Sequence, residues 1–246
     1  TLILPDIHNK VDRADFMIRS VGADKVICLG DVFDDFNDNV NDAQKSAGWF
    51  KKMLDRDNFI CLKSNHDLGY EYPTNPYAEC SGFTRVKSAA INEILTKEDW
   101  AKIKWYHFQD NYFFSHAGLN LSFINHLKIN QIKGFLNREV KKADKALREG
   151  RSHWFYRAGF CRSGNQPFGG LVWQDISEFI IIDGFKQVFG HTPCHRPTCL
   201  SGDNLCLDDH LNSYAILKDR KIEVFNVPSY GENTVAEHTF ALILAL

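Results

Sequence analysis

The chain has 246 residues, of which 44% are hydrophobic and 24% charged, and its formal net charge is −2. This composition predicts one large globular α/β domain and excludes a disordered chain. No global positive charge would attract nucleic acid or an anionic membrane. We therefore expect no membrane partner, and the sequence carries no strong nucleic-acid signal.

Seven cysteines are scattered along the chain, and no Cys-x-x-Cys pair occurs. An odd, scattered set is not typical of a disulfide framework, so we predict reduced thiols in a cytoplasmic protein. The segment from Thr1 to Leu4 lacks the basic region and cleavage site of a signal peptide. No apolar run approaches the roughly 20 residues that cross a bilayer.

Short apolar runs alternate with helical patterns in the first third of the chain. Residues 2–4, 25–29 and 58–62 are predicted to be buried strands, and residues 11–21 and 43–54 carry apolar side chains at helical spacing. This alternation predicts βαβ units with a parallel sheet. Ligands of such sheets bind at the carboxyl ends of the strands.

The middle of the chain is predicted to be largely helical and the end largely extended. Helical patterns cover residues 91–105 and 121–149, and a strand at 111–115 separates them. Further strands are predicted at residues 179–183, 187–190, 205–208, 214–218 and 221–227. Asp219 and Arg220 separate the last two strands and predict a hairpin. The result is a mixed sheet or a sandwich with helices outside.

Polar residues of metal-binding types follow five of the predicted strands. They are Asp6 and His8, Asp31 and Asp34, Asn65 and His66, His116, and His191. Any one of them has a simpler interpretation as a turn former, a helix cap or a core histidine. Five at one sheet edge favour a shared site. Carboxylate, amide and imidazole ligands suit Mn, Fe, Zn or Mg, and paired metals can clamp both oxygens of an in-line displacement.

The ordered motifs are similar to those of a known family. Asp6-x-His8, Gly30-Asp31-x-x-Asp34, Asn65-His66-Asp67, His116 and Gly190-His191 occur in sequence over roughly residues 1–195. This set resembles the calcineurin-like metallophosphoesterases, in particular their branch of serine/threonine phosphatases and dinucleoside tetraphosphatases with its phage-type members. The resemblance implies a four-layer α/β/β/α sandwich with mixed β-sheets and a dinuclear metal site at the strand C-terminal ends.

The resemblance also implies a role for each matching residue. Asp6 and His8 would ligate the first metal, and Asp31 would bridge both. The second metal would be completed by Asn65, His116 and His191. A metal-bridging hydroxide would attack the phosphate, with His66 as general acid and Asp34 orienting it. Two divalent ions are expected, manganese first, with Fe, Zn, Ni or Mg as alternatives.

The sequence departs from the family pattern at three places. Ser64 replaces the glycine common before Asn-His, and Asp35 stands where serine/threonine phosphatases usually carry a phosphate-binding arginine. Thr192 and Pro193 follow His191, so the second histidine of the Gly-His-x-His form is missing. The first metal would then have three protein ligands and more water.

Another cation must replace the missing arginine, or the substrate differs. The candidates are Arg157, Arg162 and Arg196. We select Arg162, in a loop-like stretch upstream of His191, although each arginine has the alternative of a solvated surface residue. Trp173 lies in the segment 169–175, which resembles the one before Gly-His-Thr-Pro in phage-type members. It would either flank the substrate mouth or pack in the core.

We predict a metallophosphoesterase domain at residues 1–227, with largely helical, substrate-side insertions at 68–105 and 119–168. Residues 228–246 are predicted to form a loop and an apolar helix, which would pack on its own domain or form a homodimer. That tail alone resembles a segment of NAD-dependent D-2-hydroxyacid dehydrogenases, by chance or as a chimeric or frameshifted end. No dinucleotide-binding glycine motif accompanies it, so we assign it no dehydrogenase activity.

Three functions remain open on these residues. The first is a phosphatase that hydrolyses phosphate monoesters on a phosphoprotein or a small phosphorylated metabolite. The second is a phosphodiesterase or a dinucleoside polyphosphate hydrolase. The third is a catalytically silent metal-binding scaffold, against which the intact ligand set and His66 argue.

Overall fold

The computed structural model describes residues 1–227. Within them the strands are β1 (Leu2–Leu4), β2 (Val26–Cys28), β3 (Phe59–Cys61), β4 (His107–Gln109), β5 (Tyr112–Phe114), β6 (Lys186–Phe189), β7 (Thr198–Leu200), β8 (Asn204–Cys206), β9 (Ser213–Lys218) and β10 (Lys221–Asn226). The α-helices of the same range are α1 (Val11–Val21), α2 (Val40–Leu54), α3 (Asn65–Glu71), α4 (Arg85–Ile94), α5 (Lys97–Trp100) and α6 (Ile129–Arg148).

The strands form two five-stranded mixed sheets. The first has the order β10-β9-β1-β2-β3, in which β1, β2 and β3 are parallel and β9 is antiparallel to β1. The second has the order β4-β5-β6-β8-β7, in which β5, β6 and β8 are parallel and the two edge strands are antiparallel. The parallel strands of each sheet therefore end at a common edge.

Alternating side chains place each sheet between two hydrophobic clusters. On β1, Leu2 packs in the cluster that includes α1 and α2, whereas Ile3 packs in the cluster shared by both sheets. On β5, Phe113 packs with Leu136 of α6, whereas Phe114 joins the shared cluster. The layers therefore run helix, sheet, sheet, helix, which confirms the predicted four-layer α/β/β/α sandwich.

Helix boundaries correct two of the sequence predictions. The helix predicted over residues 91–105 divides because Leu95 is extended and Thr96 opens a capping box that begins α5. The pattern over residues 121–149 becomes a helical turn at Leu121–Phe123 and then α6. Residues 179–183 form no strand, and Phe179 stacks on Phe189 with ring centroids 4.9 Å apart.

The predicted hairpin between the last strands is confirmed. Lys218 pairs with Lys221, and both residues between them have a positive φ, 49° at Asp219 and 61° at Arg220. Two left-handed central residues match the twist of antiparallel strands.

Among residues 1–227, no helix is both long and apolar enough to cross a lipid bilayer. The loop, apolar helix and dimer contact predicted for residues 228–246 lie outside the described residues. The domain boundaries, and the assignment of residues 68–105 and 119–168 to the substrate side, stay predictions.

Candidate metal centre

The predicted strand ends bring metal-ligand side chains together. Among the described residues, two groups place ligand atoms within 4.8 Å of one another: His8, Asp31 and His66 form one, and Asp31, His116 and His191 the other. The two groups share Asp31. A shared carboxylate between two clusters is the arrangement that a bridging ligand requires.

The second group is fully buried, and Asn65 joins it. The Oδ1 atom of Asn65 lies 2.8 Å from Nε2 of His116 and 3.0 Å from Nδ1 of His191. The other ring nitrogen of His116 lies 3.0 Å from the carbonyl oxygen of Leu29. A proton on that nitrogen donates to Leu29 and leaves the Nε2 lone pair facing the group, the tautomer that a metal ligand needs.

The first group is built in the same way from His8. Its Nε2 atom lies 3.6 Å from Oδ2 of Asp31, while its Nδ1 atom contacts the carbonyl oxygen of Asp34.

The backbone N–H of His191 donates to Oδ2 of Asp6, at 2.8 Å. Oδ1 of Asp6 is buried and lacks a hydrogen-bond partner, as does Nε2 of His191.

Unpaired buried polar atoms are costly, so the centre fits a bound cation. Gly190 allows the close approach of the chain to Asp6, because a Cβ atom there would lie 1.9 Å from Oδ1 of Asp6. The Gly-His motif therefore has a steric reason as well as a chemical one.

Four candidate residues adopt a left-handed backbone: φ is 44° at His8, 46° at Asp31, 64° at Asp34 and 68° at His191. Each such conformation in a non-glycine residue costs on the order of 1–3 kcal/mol. Hydrogen bonds offset part of the cost, since the N–H groups of Ile7 and His8 both donate to the carbonyl oxygen of Asp31. Strain is thus concentrated where the ligand atoms converge.

Burial and mutual charge set the protonation of the centre. Burial opposes ionisation of Asp31, but the neighbouring histidines, His116 first, lower its pKa below the ordinary value. Burial lowers the pKa of His116 and lowers that of His191 strongly. Burial, followed by Asp208 and Asp31, raises the pKa of Asp6 well above its usual range. An ionised shared carboxylate and neutral imidazoles are the forms that ligate metals.

His66 and Asp34 form a pair beside the centre. Nδ1 of His66 lies 3.1 Å from Oδ2 of Asp34, and the ring of His66 remains partly exposed. Burial would lower the pKa of His66, but the charge of Asp31 and the hydrogen bond to Asp34 raise it well above the ordinary value. A protonated, partly exposed imidazole can donate a proton to a leaving group.

Two supporting residues link the motif loops. Oδ1 of Asp67 accepts the N–H groups of Val32, at 3.0 Å, and of Phe33, and its Oδ2 accepts the hydroxyl of Ser64, at 2.6 Å. The Ser64 hydroxyl also accepts the N–H of Asp67 and caps α3. The serine that departs from the family pattern therefore has a structural role. Its Ser-x-x-Asp spacing is a capping signal that would have predicted α3 from the sequence.

The structure adds Asp208 and Lys87 to the surroundings of the site. Asp208 follows β8, is 1% exposed and raises the pKa of Asp6. The sequence signal for Asp208 was its position at the end of a predicted strand. Because β8 runs parallel to β6, the two strands end at the same edge of the sheet. Lys87 donates to Asp34 from 53 residues away, and no local pattern could indicate that pair.

The predicted substrate residues both lie at His191. Arg162 donates from Nη2 to the carbonyl oxygen of His191, at 3.3 Å, and forms an ion pair with Asp175, at 2.8 Å. The ring centroids of Trp173 and His191 are 5.4 Å apart in an edge contact, and Trp173 also packs against the hydrophobic cluster that contains Leu136 of α6. Arg162 therefore lies next to the centre.

Asp35 forms an ion pair with Lys10, with 3.7 Å between Oδ2 and Nζ. This pairing reduces the repulsion that an unpaired carboxylate would exert on a phosphate.

Comparison with known proteins gives a family for this geometry. A sequence model of the family described as calcineurin-like phosphoesterase matches residues 1–195. No curated protein matches the chain. A protein serine/threonine phosphatase from Saccharomyces cerevisiae, described as similar to human phosphatase PP5, shares 12% identity, with 94% of this chain and 81% of that chain covered and a TM-score of 0.49. Protein TT1561 of Thermus thermophilus shares 10% identity, with 92% and 97% covered and a TM-score of 0.39.

Proposed function

The chain belongs to the calcineurin-like phosphoesterase family, and we propose that it hydrolyses phosphate monoesters at the cluster around Asp31. Family membership makes it a metal-dependent phosphoric ester hydrolase. The observation that carries the finer proposal is that Asp31 belongs to two ligand groups while the pair of His66 and Asp34 lies beside it.

Each candidate ligand has an assigned place in the proposal. Asp6 and His8 would hold one divalent cation, Asn65, His116 and His191 would hold the other, and Asp31 would be shared by both. Manganese is the first choice of metal, and Fe, Zn, Ni and Mg are alternatives for this mixed oxygen and nitrogen set. When bound, such a pair of cations lowers the pKa of a water molecule and neutralises charge on the reacting phosphate.

The remaining residues act on the substrate. His66 donates a proton to the leaving oxygen, and Asp34 keeps Nδ1 of the ring engaged so that Nε2 faces the leaving group. Arg162 binds a phosphate oxygen, and Trp173 flanks the entrance. A guanidinium next to two cations favours a dianionic monoester over a singly charged diester, which supports the choice of a phosphatase. The proposed substrate is a phosphoprotein or a small phosphorylated metabolite, and the proposed location of the chain is the cytoplasm.

Turnover of two nitrophenyl esters tests the reaction type. We expect the purified chain with Mn²⁺ to hydrolyse para-nitrophenyl phosphate and to be much slower with bis(para-nitrophenyl) phosphate, measured as nitrophenolate release. Preference for the diester would favour the phosphodiesterase alternative. Turnover of neither ester with any of the five metals would favour a silent scaffold.

Substitution of Arg162 tests substrate binding. We expect Arg162→Ala to raise KM for para-nitrophenyl phosphate about tenfold or more, because a hydrogen bond to a charged group contributes roughly 1.5–3 kcal/mol. Steady-state kinetics would measure the change. Arg196→Ala, at an exposed arginine, is the control and should leave KM unchanged. An unaltered KM in Arg162→Ala would remove this residue from the site.

A further inference from the structure

Lys87 of α4 is a buried cation whose ammonium group contacts residues outside its own helix. Its side chain is 5% exposed, and its ammonium group donates to Oδ1 of Asp34 and to both carboxylate oxygens of Asp38, at 3.0 Å each. An ammonium has three donors and no acceptor, so these contacts satisfy it. A buried lysine is stable only with such partners, which ties its position to the two carboxylates.

The contacts divide the two oxygens of Asp34 between different partners. Oδ1 accepts from Lys87 and from the hydroxyl of Tyr70, whereas Oδ2 faces Nδ1 of His66. With Oδ1 fixed by two donors, the carboxylate cannot rotate away from the imidazole without breaking both. The orientation of the His66 ring is therefore set through Asp34 by Tyr70 of α3 and Lys87 of α4.

The same ammonium connects the first two motif loops. Asp38 also accepts the side-chain N–H of Asn9, at 2.9 Å, and Asn9 follows His8 directly. Lys87 thus links the loop after β1 with the loop after β2.

We propose that Lys87 is a positioning residue of the hydrolysis, acting through Asp34 to align Nε2 of His66 with the leaving oxygen. The inference rests on the proposed function of His66. If Lys87 acts in this way, its loss should lower kcat more for a leaving group that needs a proton. Loss of a purely structural ion pair would lower kcat equally for both kinds of leaving group.

The dependence of kcat on the leaving group tests this proposal. We expect Lys87→Met to lower kcat for phenyl phosphate, a poor leaving group, about tenfold more than for para-nitrophenyl phosphate, with KM for each ester within about twofold of the wild type. Lys87→Arg keeps the charge and the donors, so its ratio of kcat between the two esters should lie close to that of the wild type. Lys51→Met is the control, because Lys51 also bridges two elements, to Ile94 and Asp99, away from the site.

An equal loss for both esters in Lys87→Met would overturn the inference and leave Lys87 a structural ion pair. If Lys87→Met does not fold by its melting curve, Lys87→Gln removes the charge with less disturbance and the same ratio decides. His66→Asn is measured in parallel. If His66→Asn itself shows no leaving-group dependence, the proposed role of His66 fails; if it does and the lysine variants do not, only the inference about Lys87 fails.

Discussion

His66→Asn is expected to lower kcat for para-nitrophenyl phosphate by roughly 10²–10⁴-fold while metal content stays unchanged. General acid catalysis contributes about this factor, and asparagine cannot donate a proton to a leaving oxygen as an imidazolium does. The pair with Asp34, at 3.1 Å, holds the ring beside the candidate ligand group. Steady-state kinetics and elemental analysis of the same preparation measure the two quantities.

Metal content is the discriminating measurement, because His66 also lies in the ligand group of His8 and Asp31. A loss of metal in His66→Asn would make His66 a ligand and would contradict its assignment as the acid. His126→Asn is the control, since His126 is exposed and contacts Phe135 instead of the centre. We expect it to retain both activity and metal.

The candidate site could be predicted from sequence because its residues follow strands directly. Asp6, Asp31 and Asn65 come within four residues of β1, β2 and β3, and parallel strands of one sheet end at the same edge. Short apolar runs with a polar residue behind them are a local signal. His116 and His191 follow strands of the second sheet, and only the sandwich brings that edge to the first.

Two elements were predicted wrongly, the helix because a local capping signal was missed and the strand because of packing that no local pattern contains. Apolar residues continue at helical spacing past Leu95, but its extended backbone and the cap at Thr96 interrupt the helix. Residues 179–183 carry the apolar run of a strand, but the side chain of Phe179 packs against Phe189 and no neighbouring strand accepts the segment among the described residues. Tertiary packing overrode the local pattern in the second case.

The sequence also did not indicate the contacts that orient Asp34 and His66. Lys87 of α4 reaches Asp34 in the loop after β2, and a lysine in an amphipathic helix is usually a solvated residue. Its side chain is buried on the loop before α2, and α4 itself packs against α2 and α3. Ion pairs between residues far apart in the sequence become visible only in the three-dimensional structure.

Asp31→Asn is expected to release metal from both positions and to lower kcat more than the roughly 10–100-fold that loss of an outer partner of a metal site costs. The reason is that Asp31 is the residue shared by both ligand groups, and its ionised form is favoured by the surrounding histidines. Asparagine keeps the shape and removes the charge, so the two cations lose their common carboxylate. Elemental analysis should show well under two metals per chain.

A chelator provides an independent readout of the same substitution. Ligands that bind only the folded state stabilise it, by about 2.7 kcal/mol at a hundredfold excess over Kd. EDTA should therefore lower the melting temperature of the wild type and have little effect on Asp31→Asn. Asp57→Asn, at an exposed carboxylate before β3, is the control and should behave as the wild type in both measurements. If Asp31→Asn kept two metals and the full response to EDTA, the two ligand groups would not depend on their shared residue, and a dinuclear centre around Asp31 would be the wrong interpretation of this geometry.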